Sequence, residues 1–292
     1  VRKADIASAP IPELPPARYV AEGYYTSAYF TLGPEKGHPL VLCHGLAANG
    51  LQFVTDAHFF AEQGFKVIVP DLRGHGRSRT PDIDMRKDKD FSIARMADDL
   101  VGILDAERAE KTHWVGNSLG GILGLSIMGS HPDRLTRFVS FGTSYSMNLP
   151  PFTVGLMRFA TKLIRRNHLA ILGARLTCRD NIEAQAIIFN MLRDMDRDCI
   201  LRIAGHIRQY DLIANAWNFQ GPMLMLRGSR DTDVNRAMKD TLSRMREHSN
   251  FFVTEVEKAG HCLNLDRPEF IQGEILKFIG SRTGATPGSP NP

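Results

Sequence analysis

The sequence predicts an α/β fold: a doubly wound, mostly parallel sheet with an inserted helical segment. Three observations carry this. Short continuous apolar runs such as "PLVLCHG" and "FKVIVPD" are of the kind buried on both faces of a parallel sheet. Stretches with helical spacing separate them, and alternation of strand with helix is what a parallel sheet with crossover helices requires. One region, residues 144–219, breaks the alternation and reads as several helices in succession, with no strand among them.

The elements follow in order. Residues 1–20 are rich in proline and read as an extended arm. "YYTSAYFTL" alternates and is aromatic and β-branched, a strand ending at Gly33-Pro34. "PLVLCHG" is the next strand, "LQFVTDAHFFAEQG" a helix closed by Gly64, and "FKVIVPD" a strand. Ser92 caps a helix running to about Arg108; "THWVG" is a strand, "LGGILGLSIMGSH" a helix and "LTRFVSFG" a strand. Beyond the insert come "PMLMLRG" (strand), "NRAMKDTLSRMRE" (helix), "FFVTEVE" (strand) and "PEFIQGEILKFIGS", a helix with proline in its first turn. The chain thus divides into an arm (1–20), an α/β core (21–143 and 220–281), a helical insert (144–219) and a tail (282–292) of disorder-prone composition. An insert between two strands of an open sheet lies over their carboxyl ends, where such sheets bind ligands, so it is expected to act as a lid.

At 292 residues and 43% hydrophobic content, the chain can bury a sizeable core. A net charge of +4 is too small to argue for nucleic acid, and no nucleic-acid-binding motif is present. No apolar run approaches the roughly 18 residues of a membrane-crossing helix. The N-terminal stretch has no apolar signal-peptide core, and a start at Val1 without a methionine leaves room for an upstream segment that was removed. Cys43, Cys178, Cys199 and Cys262 lack metal-ligand spacing and C-x-x-C pairing. Free thiols in a reducing, cytoplasmic setting are expected; in an exported protein, Cys178 and Cys199 would be the pair to bridge.

The chemistry centres on "HWVGNSLGG". Gly116-Asn117-Ser118-Leu119-Gly120 is a G-x-S-x-G pattern where a strand ends and a helix begins, the setting of a nucleophile elbow. So sharp a turn strains the serine backbone and leaves no room for side chains two positions away, which the glycines supply. The turn also aims the Leu119 N–H, at a helix N-terminus, where an oxyanion would form. A second donor is expected from the Leu46 N–H, in the loop that follows "LVLCHG".

A serine hydroxyl needs a base, and the base an orienting acid. Among the ten histidines, His261 stands in the loop between the last strand and the last helix. His113 and His131 read as structural, and His44 and His75 as hydrogen-bonding residues of nearby turns. For the acid, Asp231 lies just past the penultimate strand; Asp233 is the alternative and suits the cap of the following helix.

With these residues assembled, the chain resembles the α/β-hydrolase superfamily from about Tyr24 to Ser281. The resemblance rests on "HGL" (44–46), "DLRGHGRS" (71–78), "GNSLGG" (116–121), "GSRD" (228–231) and "AGH" (259–261) with "DRPEF" (266–270). It implies Ser118 as nucleophile, His261 as base, Asp231 as acid, and the Leu46 and Leu119 N–H groups as oxyanion hole, with the insert as a cap and 71–78 as a structural turn. Relatives that are epoxide hydrolases or haloalkane dehalogenases use an aspartate nucleophile where this chain has Ser118. Carbon–carbon bond hydrolases of ring-fission products usually carry tryptophan after the histidine, where this chain has Cys262. Proline iminopeptidases usually carry tryptophan after the serine, where it has Leu119.

The insert is where substrate preference is expected. Arg158, Lys162, Arg165 and Arg166 recur at helical spacing, a basic stripe opposite an apolar face that holds Phe152, Leu156, Met157, Phe159, Leu163 and Ile164. The plain reading is the solvated outside of a packed helix; the sharper ones are an entrance for anionic substrates or contact with an acidic membrane surface. Met157, Met191 and Trp217, with Leu192 and Met195, are expected to line a hydrophobic acyl or aryl pocket. The expected activity is that of a carboxylesterase or lactonase on small to medium, largely apolar molecules, with no metal or organic cofactor. The alternatives are a carbon–carbon bond hydrolase on the same triad and a receptor-like ligand binder with little turnover.

Overall fold

The computed structural model describes residue 6 and residues 11–163, 165–178 and 181–280. The expected tail (282–292) and nearly all of the first ten residues lie outside these. In chain order the elements are β1 (Arg18–Glu22), β2 (Tyr25–Leu32), β3 (Pro39–Cys43), α1 (Val54–Glu62), β4 (Lys66–Pro70), α2 (Ile93–Ala106), β5 (Thr112–Asn117), α3 (Leu119–Ser130) and β6 (Leu135–Phe141). The insert contains β7 (Ser146–Asn148), α4 (Phe152–Leu163), α5 (Arg166–Thr177), α6 (Ile182–Asp194), α7 (Arg197–Ile207), β8 (Gln209–Asp211) and α8 (Ile213–Asn218). The chain then returns through β9 (Met223–Gly228), α9 (Thr232–Arg244), β10 (Phe251–Val256), α10 (Leu263–Asp266) and α11 (Pro268–Gly280).

The main sheet runs β1-β2-β4-β3-β5-β6-β9-β10. The β1–β2 and β2–β4 pairs at one edge are antiparallel and the remaining pairs are parallel. Two differences from expectation have simple causes. Arg18–Glu22, which begins in the expected arm and runs past its end, is an edge strand with one face in solvent, so it carries no apolar run. The insert is not all helical: β7 and β8 pair antiparallel, each only three residues long and too short for a periodic signal.

After β3 the chain steps to one side to make β4, then crosses back to make β5 on the other side of β3. The carboxyl ends of β3 and β5 therefore flank a topological switch point, the crevice where open α/β sheets take ligands. Register brings the ends level: Cys43 opposes Gly116, Asn117 opposes Phe141, and Phe141 opposes Leu226. Apolar clusters cover both faces of this sheet, one around Trp114, Leu123 and Phe138, the other around Leu40, Phe60, Val115 and Leu226. A third, beneath the insert, joins Ala174, Cys178, Ile187 and Met191 to Cys262 and Leu265. Cys178 belongs to that cluster and Cys199 to the first, both buried, and no disulfide joins them.

The α4 face differs from the expected pattern. Phe152, Leu156 and Phe159 are exposed, as is Arg158, so the apolar residues here do not all face inward; the side chains of Lys162, Leu163, Ile164 and Arg166 lie outside those described. Among the described residues no helix is long and apolar enough to cross a membrane.

Candidate active site

β5 is buried along its whole length and delivers Ser118 to its carboxyl end with φ +50° and ψ −114°. L-residues rarely occupy that region, so the surroundings must impose it. Ser118 N donates to Phe141 O at 2.9 Å, which ties the turn to β6. Trp114 Nε1 donates to Gly120 O at 3.0 Å and pins the first turn of α3 onto the strand that precedes it. A Cβ on Gly116 would stand 2.5 Å from the Gly120 carbonyl, and one on Gly120 would overlap the Cys43 carbonyl at the end of β3. The two glycines of the motif are thus where backbone meets backbone.

His261 Nδ1 lies 2.8 Å from Asp231 Oδ2. A carboxylate only accepts, so Nδ1 carries a proton, and in the neutral ring the lone pair is then on Nε2. Asp231 is held in place by the turn after β9: Arg230 N donates to Ala259 O at 2.9 Å and Ser229 N to Val256 O at 3.0 Å. Gly260 N in turn donates to Asp266 Oδ2 at 2.7 Å, which gives the first residue of "DRPEF" the task of shaping the histidine loop. Asp233 is directed to solvent, its side chain 92% exposed against 11% for Asp231. The expectation that Asp233 caps the helix also fails, because α9 starts one residue before it, at Thr232. Among the described residues, Ser118 Oγ makes no hydrogen bond to His261. Gly142 stands in the same corner, and a Cβ there would meet His261 Cε1 at 2.8 Å, leaving the ring no room to move toward β6. Such contacts often tighten only when substrate binds.

Leu119 N is the first N–H of α3, a position with no partner inside the helix. Leu46 follows Gly45, which packs so closely that a Cβ would come within 3.3 Å of Ser118 Cβ. Neither N–H is engaged by another described residue. Two histidines shape the Leu46 loop. Leu72 N donates to His44 Nε2 at 2.9 Å and Ala47 N to His75 Nε2 at 3.1 Å, holding Ala47 at φ +63°. Burial keeps both rings neutral, lowering His44 well below the ordinary imidazole range and His75 to about 4. Of "DLRGHGRS", Asp71 accepts from Gly50 N and Arg77 N, each at 2.7 Å, and so ties its own turn to the loop after β3.

Asn117 and Gln52 carry positioning that the motif pattern concealed. Asn117 Nδ2 donates to Phe141 O and to His261 O, both at 3.1 Å, so the residue beside Ser118 holds the histidine loop. Its Oδ1 accepts from Gln52 Nε2 at 2.9 Å, while Gln52 Oε1 accepts from Gly45 N at 3.1 Å. One buried amide pair thereby joins the strand-end turn, the loop after β3 and the histidine loop. In the sequence Asn117 is only an "x" of G-x-S-x-G.

Ser118 opens onto a cavity of about 240 Å³. Leu46, Ile122, Gly142 and Val234 form its floor and sides from the core, and Met147, Leu149, Met157, Ile207 and Arg208 close it from the insert. Of the expected pocket residues only Met157 lines this space. Met191 packs into the cluster beneath the insert, and Trp217 on α8 is 44% exposed and edge-on to His248. Both were apolar residues at helical spacing, which does not report the facing surface.

The chain matches, over residues 38–162, a family model described as the alpha/beta hydrolase fold. It is 35% identical over 141 residues to 2-hydroxymuconate semialdehyde hydrolase of Pseudomonas putida, covering 47% of this chain and 46% of that one. The matches span 46%, 66% and 40% of the lengths of three curated relatives. Among solved structures, esterase RhEst1 from Rhodococcus sp. ECU1013 superposes with a TM-score of 0.75 at 20% identity, covering 91% of this chain and 99% of that one. The enol-lactonase from Burkholderia xenovorans LB400 gives 0.74 at 20% identity, with 90% and 100% covered. At such identities the likeness is one of fold.

Proposed function

We propose that the chain is an α/β-hydrolase, a serine hydrolase that cleaves carboxylic ester or lactone bonds in small to medium, largely apolar molecules; the family-model match over residues 38–162 supports this reading. The observation that carries this reading is the pairing of a strained Ser118, at φ +50°, with His261 held 2.8 Å from Asp231 on the same rim of the sheet. Ser118 Oγ attacks the carbonyl carbon while His261 Nε2 takes its proton, and Asp231 stabilises the imidazolium and fixes the ring. The carbonyl oxygen, now an oxyanion, receives the N–H groups of Leu46 and Leu119; each such donor is typically worth about 3 kcal/mol of barrier. His261 returns its proton to the departing alkoxide, leaving the acyl group on Ser118. It then deprotonates a water that releases the acid. Residues 144–219 act as the cap that supplies the outer wall and excludes bulk water.

A fluorophosphonate probe tests the reading. Ser118 is labelled in the wild type and labelling is lost in Ser118→Ala, whose hydrolysis of p-nitrophenyl esters falls by about 10⁴-fold or more. Undiminished turnover in that variant would overturn it. A second reading, carbon–carbon bond hydrolysis on the same residues, is favoured by the similarity to 2-hydroxymuconate semialdehyde hydrolase. It prevails if a dienone ring-fission product is consumed while esters are inert.

A further inference from the structure

Most polar groups around the cavity are already engaged. Thr143 Oγ1 donates to Phe141 O at 2.9 Å, Ser144 Oγ to Ser146 O at 2.7 Å, Thr153 Oγ1 to Pro150 O at 2.7 Å, and Tyr210 OH to Ser144 O at 2.8 Å. Two of the described side chains retain unused donors: the Ser118 hydroxyl and the guanidinium of Arg208. Arg208, just beyond α7, is the sole charged side chain among the described residues lining the cavity. It is half-buried, and its one side-chain hydrogen bond, from Nη1 to Leu149 O, is 3.4 Å long.

No described carboxylate pairs with it, although acids stand close by in the chain. Asp198 is taken by Arg86 at 3.2 Å and Arg202 at 2.8 Å, and Asp211 by Arg244 at 2.7 Å. A guanidinium has five N–H donors and stays charged. Set beside Met147, Leu149 and Ile207, it can offer an incoming anion charge-assisted, bidentate hydrogen bonds against an apolar wall.

We propose that Arg208 is the anion-recognising group of this cavity. The preferred substrate then carries a carboxylate, or a comparably compact oxyanion, at the far end of an apolar body whose ester or lactone bond lies at Ser118. This rests on the serine hydrolase reading and adds a charge requirement to it.

The test compares p-nitrophenyl hemiesters of four- to six-carbon dicarboxylic acids with neutral p-nitrophenyl esters of equal chain length. A parallel pair, 4-carboxyphenyl butyrate against phenyl butyrate, places the anion on the leaving group. One anionic series is expected to exceed its neutral counterpart in kcat/KM by about tenfold or more, the equivalent of one good charge-assisted contact. In Arg208→Gln that ratio collapses toward one, chiefly through KM, and Arg208→Lys restores part of it. A ratio near one in both series, or one that Arg208→Gln does not change, overturns the proposal. Ser118→Ala protein separates this from failure of the catalytic reading. Glutarate monoamide should raise its melting temperature more than butyramide does, and Arg208→Gln should remove the difference. If no ester is turned over, that binding result decides on Arg208 by itself, an equal shift by the two amides counting against it.

Discussion

Asp231 and Asp233 are two residues apart and identical in chemistry, yet one faces His261 and the other water. Replacing Asp231 by Asn leaves a group that can donate as well as accept, so the imidazole is no longer held with its proton on Nδ1. Asp231→Asn is expected to lower kcat on p-nitrophenyl esters by about 10³- to 10⁴-fold, whereas Asp233→Asn stays within about twofold. Comparable losses in both would remove Asp231 from its assigned role. Ser118, Asp231 and His261 were legible in the sequence because each follows a strand with a clear apolar signature. The contacts joining Asn117 to Gln52 and to His261 were not, because they span 65 or more residues, and nothing in the sequence places Arg208 at the cavity. Met191 and Trp217 misled for the converse reason, being apolar and correctly spaced while facing elsewhere.

At the scale of the element, the turn from β5 into α3 depends on close packing against β3. Gly120→Ala pushes a methyl group into the Cys43 carbonyl, which only a shift of α3 or β3 can relieve. The expected cost is about 1–3 kcal/mol of stability, typical of overpacking, together with weaker fluorophosphonate labelling as the Leu119 N–H moves. Gly273, inside α11, has open space where its Cβ would be, so Gly273→Ala is expected to stabilise by up to about 1 kcal/mol through helix propensity. Thermal melts of the two variants should move in opposite directions; a shared direction would refute the packing argument. The buried parallel strands declared themselves as continuous apolar runs and the long helices through periodicity. β1, β7 and β8 did not, since an exposed edge and three-residue strands leave too few side chains to form a pattern.

Across the whole molecule, one buried carboxyl joins parts that lie far apart in sequence. Asp56 on α1 accepts from Asn264 Nδ2 at 2.7 Å and Gln272 Nε2 at 3.0 Å, and Asn264 also donates to Gln52 O at 2.8 Å. Burial outweighs these donors and raises its pKa to about 7. An acid whose folded pKa is raised favours the folded state while protonated. That contribution starts to disappear above the ordinary carboxyl value of 3.8 and is gone above about 7. The melting temperature of the wild type relative to Asp56→Asn should therefore fall as pH rises across that window, and a constant difference would exclude buried ionisation. The cavity carries a last consequence. Its chemical floor, with Leu46, Ser118 and Gly142, is locked by sheet register, whereas Met147, Met157 and Arg208 belong to the insert. If the proposed function holds, substitutions in the insert redirect which molecules are accepted while the reacting groups stay where they are, so diversification and catalysis proceed under separate selection.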